Sequence, residues 1–115
     1  MHNFKNLKIW QKSRVLVKEV FLLTREFPAE EKFGLTSQIL RSAYSVPSNI
    51  AEGSGRSSNK DFSRFLDISL GSAFELETQL ILASDINYLS EEQLLHIQDL
   101  LQEIQKMIYS FKTKI

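Results

Sequence analysis

Residues 35–56 read LTSQILRSAYSVPSNIAEGSGR, from Leu35 to Arg56, and join an apolar stripe, a proline within a helical pattern and a glycine-rich end. Turned at 100° per residue, Leu35, Ile39, Ala43, Val46 and Ile50 gather on one side, and Gln38, Arg41, Ser45, Ser48, Asn49 and Glu52 on the other. One side suits a core; the other is a polar seam. Pro47 removes the bond to the Ala43 carbonyl and crowds it, so a kink or local opening is expected. Two separate short helices are the alternative, but the stripe continues in phase from Val46 to Ile50. Gly53 and Gly55 are expected to stop the helix, and Thr36 and Ser37 to help its first amides.

Working outward, Leu7 to Phe27 is also helical, with Ile9, Ser13, Leu16, Val20, Leu23 and Phe27 at spacings of three and four and Trp10, Val17 and Phe21 widening the stripe. Pro28 ends it. Val15 and Leu22 fall on the far side among Lys8, Arg14, Lys18 and Glu19, which suits either solvent or a subunit contact. Beyond the central stretch, Ser58 or Asn59 caps a third helix, and Phe62, Leu66, Ser69, Ala73, Leu76, Leu80 and Ala83 form its stripe. The small residues Ser69, Gly71, Ser72 and Ala73 predict close approach of a neighbour. Ser90-Glu-Glu-Gln93 is a capping-box pattern, followed by Leu94, Ile97, Leu101, Ile104, Ile108 and Phe111. Four long helices joined by short turns predict an all-α, antiparallel up-down-up-down bundle, with residues 1–115 as one domain.

Composition narrows the function. The chain has no cysteine, no apolar run long enough for a membrane span and no secretory h-region at its start, so a cytoplasmic protein is expected. Fourteen basic and fourteen acidic side chains cancel, but residues 1–64 hold eleven basic against six acidic, and residues 65–105 hold eight acidic and no basic. Such polarity allows a basic surface on a neutral chain.

A di-metal carboxylate site, the usual chemistry inside four-helix bundles, needs Glu-x-x-His pairs. Neither His2 nor His96 has a glutamate three residues before it, so no metal, cofactor or catalytic residue is expected; Glu52, Glu75 and Glu77 read as surface or interface charges and His96 as a boundary residue. The segment from Gly53 to Lys60 lacks the glycine-lysine order and preceding strand of a phosphate loop. Arg56, Lys60 and Arg64 still gather at the start of the third helix, a generic anion site. With Lys5, Lys8 and Lys12 on the first helix they are the candidate nucleic-acid contacts.

The order Leu35, Gln38, Arg41, Ser42-Ala43, Ser45-Val-Pro-Ser-Asn-Ile-Ala-Glu-Gly53, then Arg56, Phe62, Phe65-Leu66 and Gly71-Ser-Ala-Phe-Glu75 resembles a family of small bacterial four-helix-bundle proteins. The family takes its name from intervening sequences in 23S rRNA genes, and the opening Phe4-Lys-Asn-Leu-Lys8-Ile-Trp10 looks like its start. The resemblance implies a homopentameric ring and a relation to the accessory protein of diversity-generating retroelements, which binds nucleic acid and a reverse transcriptase. It implies no known reaction. A non-enzymatic oligomer that binds RNA or DNA without strong sequence specificity is therefore expected, with a protein-binding scaffold as the alternative. In a ring, Gln38, Arg41, Ser45, Asn49 and Glu52 are expected at the subunit boundary, because Arg41 and Glu52 lie three turns apart and cannot pair along one helix. Val15 and Leu22 are a second candidate contact.

Overall fold

The computed structural model describes residues 2–115. Its helices are α1 (Lys8–Thr24), α2 (Leu35–Ser54), α3 (Asn59–Asp85) and α4 (Glu91–Lys114), with single 3-10 turns at Phe4–Asn6 and Ala29–Glu31. Each helix packs on the next in the chain, and α1 also packs on α4, while the diagonal pairs stay apart. With short connections this is the up-down-up-down bundle, 43 × 25 × 19 Å. At about 1.5 Å per residue, the 27-residue α3 runs nearly the whole length. Among the described residues there is no strand, and no helix is long and apolar enough to cross a membrane.

Leu16, Val20, Ile39, Ala43, Val46, Ile50, Leu66, Ala73, Leu76, Leu80, Leu101, Ile104 and Ile108 are all fully buried, as the three-four spacing requires. The stripe does not extend to Phe21, which is 46% exposed because it stands beyond the flank of the α1 contact surface. Helix α1 also closes earlier than its stripe, at Thr24; Phe27 lies in the following turn, yet remains buried with its ring 5.4 Å from Tyr88.

The tightest joint is α2 on α3. Ser69 donates to the Val46 carbonyl at 2.8 Å, Ser45 and Ser72 share a 2.7 Å hydrogen bond, and Ser42 donates to Glu75 at 2.6 Å. Small side chains let the helices approach, and each hydroxyl finds a partner on the facing helix. Helix α2 continues unbroken through Pro47. It also continues through Gly53, which is buried inside the helix against Phe62 and Phe65 and serves close packing rather than termination. Gly71 takes no part in that joint, since a Cβ there would meet nothing within 4 Å.

The helix ends show which groups satisfy them. Ser58 accepts from the Asp61 amide at α3, and Ser90 with Gln93 completes the capping box at α4. At α2 the first amide is not met by Thr36 or Ser37: Leu35 donates to Glu31 at 3.2 Å. Helix α3 ends in a Schellman motif, with Asn87 at φ 65°, the Tyr88 amide donating to Ala83 and the Asn87 amide to Ser84. That turn carries the Tyr88 hydroxyl to Glu31, to which it donates at 2.7 Å.

Candidate nucleic-acid interface

Of the basic residues singled out in the sequence, several are already engaged. Lys12 pairs with Glu103 of α4 at 2.7 Å. Arg56 reaches Glu52 at 3.4 Å and Asp61 at 3.7 Å, and Arg64 reaches Asp61 at 2.9 Å. Both guanidinium groups also lie over the Phe65 ring, at 4.5 and 4.6 Å. Two arginines against two carboxylates make a neutral cluster, to which exposed Lys60 alone adds charge. Lys5 is not on α1 but in the preceding turn, with its ammonium 5.9 Å from the Phe4 ring centre; Lys8 is the first residue of α1 and exposed.

The seam of α2 divides in two. Ser45 and Asn49 turn toward α3, half-buried, with Asn49 donating to the Ser45 carbonyl and hydroxyl at 2.9 Å. Glu52 is tied to Arg56 of its own chain, whereas Gln38 and Arg41 are exposed. On α1, Val15 and Leu22 are 50% and 47% exposed. On α3, the outward side carries Ile68, Phe74 and Leu82, also exposed.

Three of the cations without an ion pair among the described residues, Arg14, Lys32 and Arg41, line the junction of α1 and α2. Arg14 and Lys18 of α1 and Arg25, its C-cap, fall within an arc of about 40° on the outer side and are exposed. Two adjoining depressions share Tyr44. One, about 420 Å³, is lined by Trp10, Arg14 and Val17 of α1 and Tyr44, Pro47, Ser48 and Ala51 of α2. The other, about 480 Å³, is lined by Lys32, Phe33, Thr36, Ser37, Leu40, Arg41 and Tyr44. Arg14 lies 5.7 Å from the Trp10 ring centre and Lys32 5.5 Å from that of Phe33. Sequence reasoning passed over this groove and saw no aromatic platform. The clustering of Arg14, Lys18 and Arg25 was readable from spacing, but the placing of Trp10 and Tyr44 in one groove depends on how α1 docks on α2.

A larger cleft, about 890 Å³, lies on the opposite side, between α1 and α4, and is rimmed by Glu19, Glu26 and Glu92 over Leu22, Leu23 and Ile97. His96 and Glu19 meet across it at 2.9 Å, so His96 is exposed and bonded rather than set at the core boundary. Ser90 lines the same cleft. Its hydroxyl is engaged as the α4 N-cap, accepting from the Gln93 amide at 3.0 Å, and among the described residues no hydrogen bond joins it to His96. Glu77 is an internal acceptor rather than a surface charge, receiving amides from Gln98, Gln102 and Gln105 at 3.2, 3.3 and 2.8 Å. Among the described residues, no three metal-ligating side chains converge.

A family model described as 23S rRNA-intervening sequence protein matches residues 5–110. No curated protein matches the chain. Among solved structures it is similar to a crystal structure of a Bacteroides thetaiotaomicron protein, described as of unknown function and from the S23 ribosomal protein family. The identity is 33% and the TM-score 0.80, over 90% of this chain and 96% of the other.

Proposed function

The chain belongs to the 23S rRNA-intervening sequence protein family, and we propose that it is a non-enzymatic bundle that binds RNA or DNA through phosphate contacts along the α1–α2 groove. The observation that carries this reading is the distribution of unpaired charge. Arg14, Lys32 and Arg41 line one groove with no ion pair among the described residues, while Lys12, Arg56 and Arg64 are held by carboxylates. Cations left unpaired at a surface attract a polyanion and release its counterions, giving affinity that falls steeply with salt and carries little sequence information. The histidines support a non-catalytic role: the His2 ring packs on Phe62 and Phe111, and His96 bonds Glu19 with no hydrogen bond to a hydroxyl among the described residues.

Self-association, as a ring of five, belongs to the same proposal. It is supported by the exposed apolar residues Ile68, Phe74 and Leu82 of α3 and by exposed Gln38 and Glu52 of α2, with Val15 and Leu22 as a further contact. Those apolar residues equally favour a protein-binding scaffold, and a reverse transcriptase is the partner we would test first. The cytoplasm is the proposed location, supported by a chain without cysteine. Electrophoretic mobility shift at several salt concentrations tests the main reading. Binding that weakens with rising salt supports it, and no shift even at low salt leaves the scaffold.

A further inference from the structure

We infer that the α1–α2 groove takes single-stranded nucleic acid in preference to duplex, with bases stacking on Tyr44 and Phe33. This rests on the proposed phosphate-binding role of the same groove and goes beyond it, because cations alone do not distinguish one strand from two. Aromatic faces do: a duplex has its base faces occupied by neighbouring pairs, whereas an unpaired base offers a free π surface to a ring.

Tyr44 is 47% exposed and lies where the two depressions meet, with Arg14 bordering one and Arg41 the other. Phe33 is 89% exposed at the far end of the second, with the Lys32 ammonium close to its ring. An 89% exposed phenylalanine beside a lysine serves neither the core nor solubility. Alternating rings and cations along a concave path is the composition that single-strand sites use, the rings taking bases and the cations the backbone between them. From Thr36 to Ala51 the α2 wall of the groove runs about 22 Å, room for a short run of nucleotides. Apart from the cations, which are assigned to the phosphates, the polar wall groups are the hydroxyls of Thr36, Ser37, Tyr44 and Ser48, with no amide or carboxylate to read adenine or cytosine, so broad sequence tolerance is expected. Ribose and deoxyribose strands share the chemistry required.

The test measures fluorescence anisotropy of labelled oligo(U), oligo(dT) and a duplex of equal length, with the full chain and its variants. The single tryptophan, Trp10, lines the groove and gives a label-free second signal. Single strands are expected to bind more tightly than duplex and to change Trp10 emission. Tyr44→Ala should weaken single-strand binding about tenfold and leave duplex binding in place, while Tyr44→Phe should match the wild type. Phe33→Ala, at a position with almost no packing to lose, carries the same expectation if Tyr44→Ala fails to fold. Unequal affinity for oligo(U) and oligo(dT), with both above duplex, supports the inference and identifies the preferred sugar. If Arg41→Ala weakens binding but neither aromatic substitution does, the phosphate-binding role stands and the stacking inference is overturned. Wild-type protein that binds no oligonucleotide at low salt overturns both.

Discussion

Gly53 lies so close to Phe65 that a Cβ added to it would stand 2.6 Å from the Phe65 Cβ and 2.9 Å from Phe62 Cδ1. The nearer atom is fixed to the α3 backbone and cannot swing away, so α2 and α3 would have to separate. Gly53→Ala is expected to lose about 1–3 kcal/mol through overpacking, more than the roughly 1 kcal/mol that alanine gains over glycine within a helix. Gly71→Ala, with open space at its Cβ, should gain up to about 1 kcal/mol. Urea denaturation of both variants checks the opposite signs.

Glu77 gathers three glutamine amides between α3 and α4, and the nearest, from Gln105, is itself buried. Glu77→Ala would leave that amide without its acceptor and should cost about 1–3 kcal/mol, whereas Glu77→Gln keeps an acceptor and should cost less. Thermal unfolding followed by circular dichroism separates the two.

The Tyr88 hydroxyl holds the Glu31 carboxyl below the usual carboxylate range, helped by the Leu35 amide, and the same contact raises the Tyr88 phenol. The stability Glu31 contributes is present above its ordinary pKa and lost as pH falls through the lowered value. That from Tyr88 is present below the ordinary phenol pKa and lost as pH rises through the raised one. Tyr88→Phe should therefore flatten both the acid and the alkaline shoulders of a melting-temperature profile taken from about pH 3 to about pH 11, the Leu35 bond preserving part of the acid one.

Most of the bundle was legible because a three-four apolar period is a local signal: Ile39, Ala43, Val46 and Ile50 were assigned to the core and are fully buried, and Ser90 with Gln93 forms its capping box. The close approach at Ser69 and Ser72 was legible in their size, but the partners met across helices were not. Nothing near Lys12 in the chain announces Glu103, and nothing near Leu35 announces that Glu31 rather than Thr36 meets its amide. Gly53 read as a stop because a glycine that ends a helix and one that admits a neighbouring phenylalanine look the same until the neighbour is placed. The candidate interface moved for the same reason. The start of α3 is basic in sequence, but Glu52 and Asp61 fold back onto its arginines.

Arg41 and Arg56 provide a direct contrast in charge. Arg41→Ala is expected to weaken single-strand binding several-fold and to reduce the salt slope by about 0.7, the contribution of one phosphate contact. Arg56→Ala, which removes a guanidinium already facing Glu52 and Asp61, should change both quantities less. Mobility shift across a salt series measures the two slopes.

The central claim places nucleic acid in the groove between α1 and α2, and photocrosslinking tests it most directly. A photoreactive oligonucleotide is irradiated on the wild-type protein and the modified peptides are mapped by mass spectrometry. Crosslinks are predicted in the segments around Trp10 to Arg14, Lys32 to Phe33 and Arg41 to Tyr44, and they should disappear at high salt. Crosslinks confined to the Arg56–Arg64 segment or to α4, or none at low salt, would contradict the account.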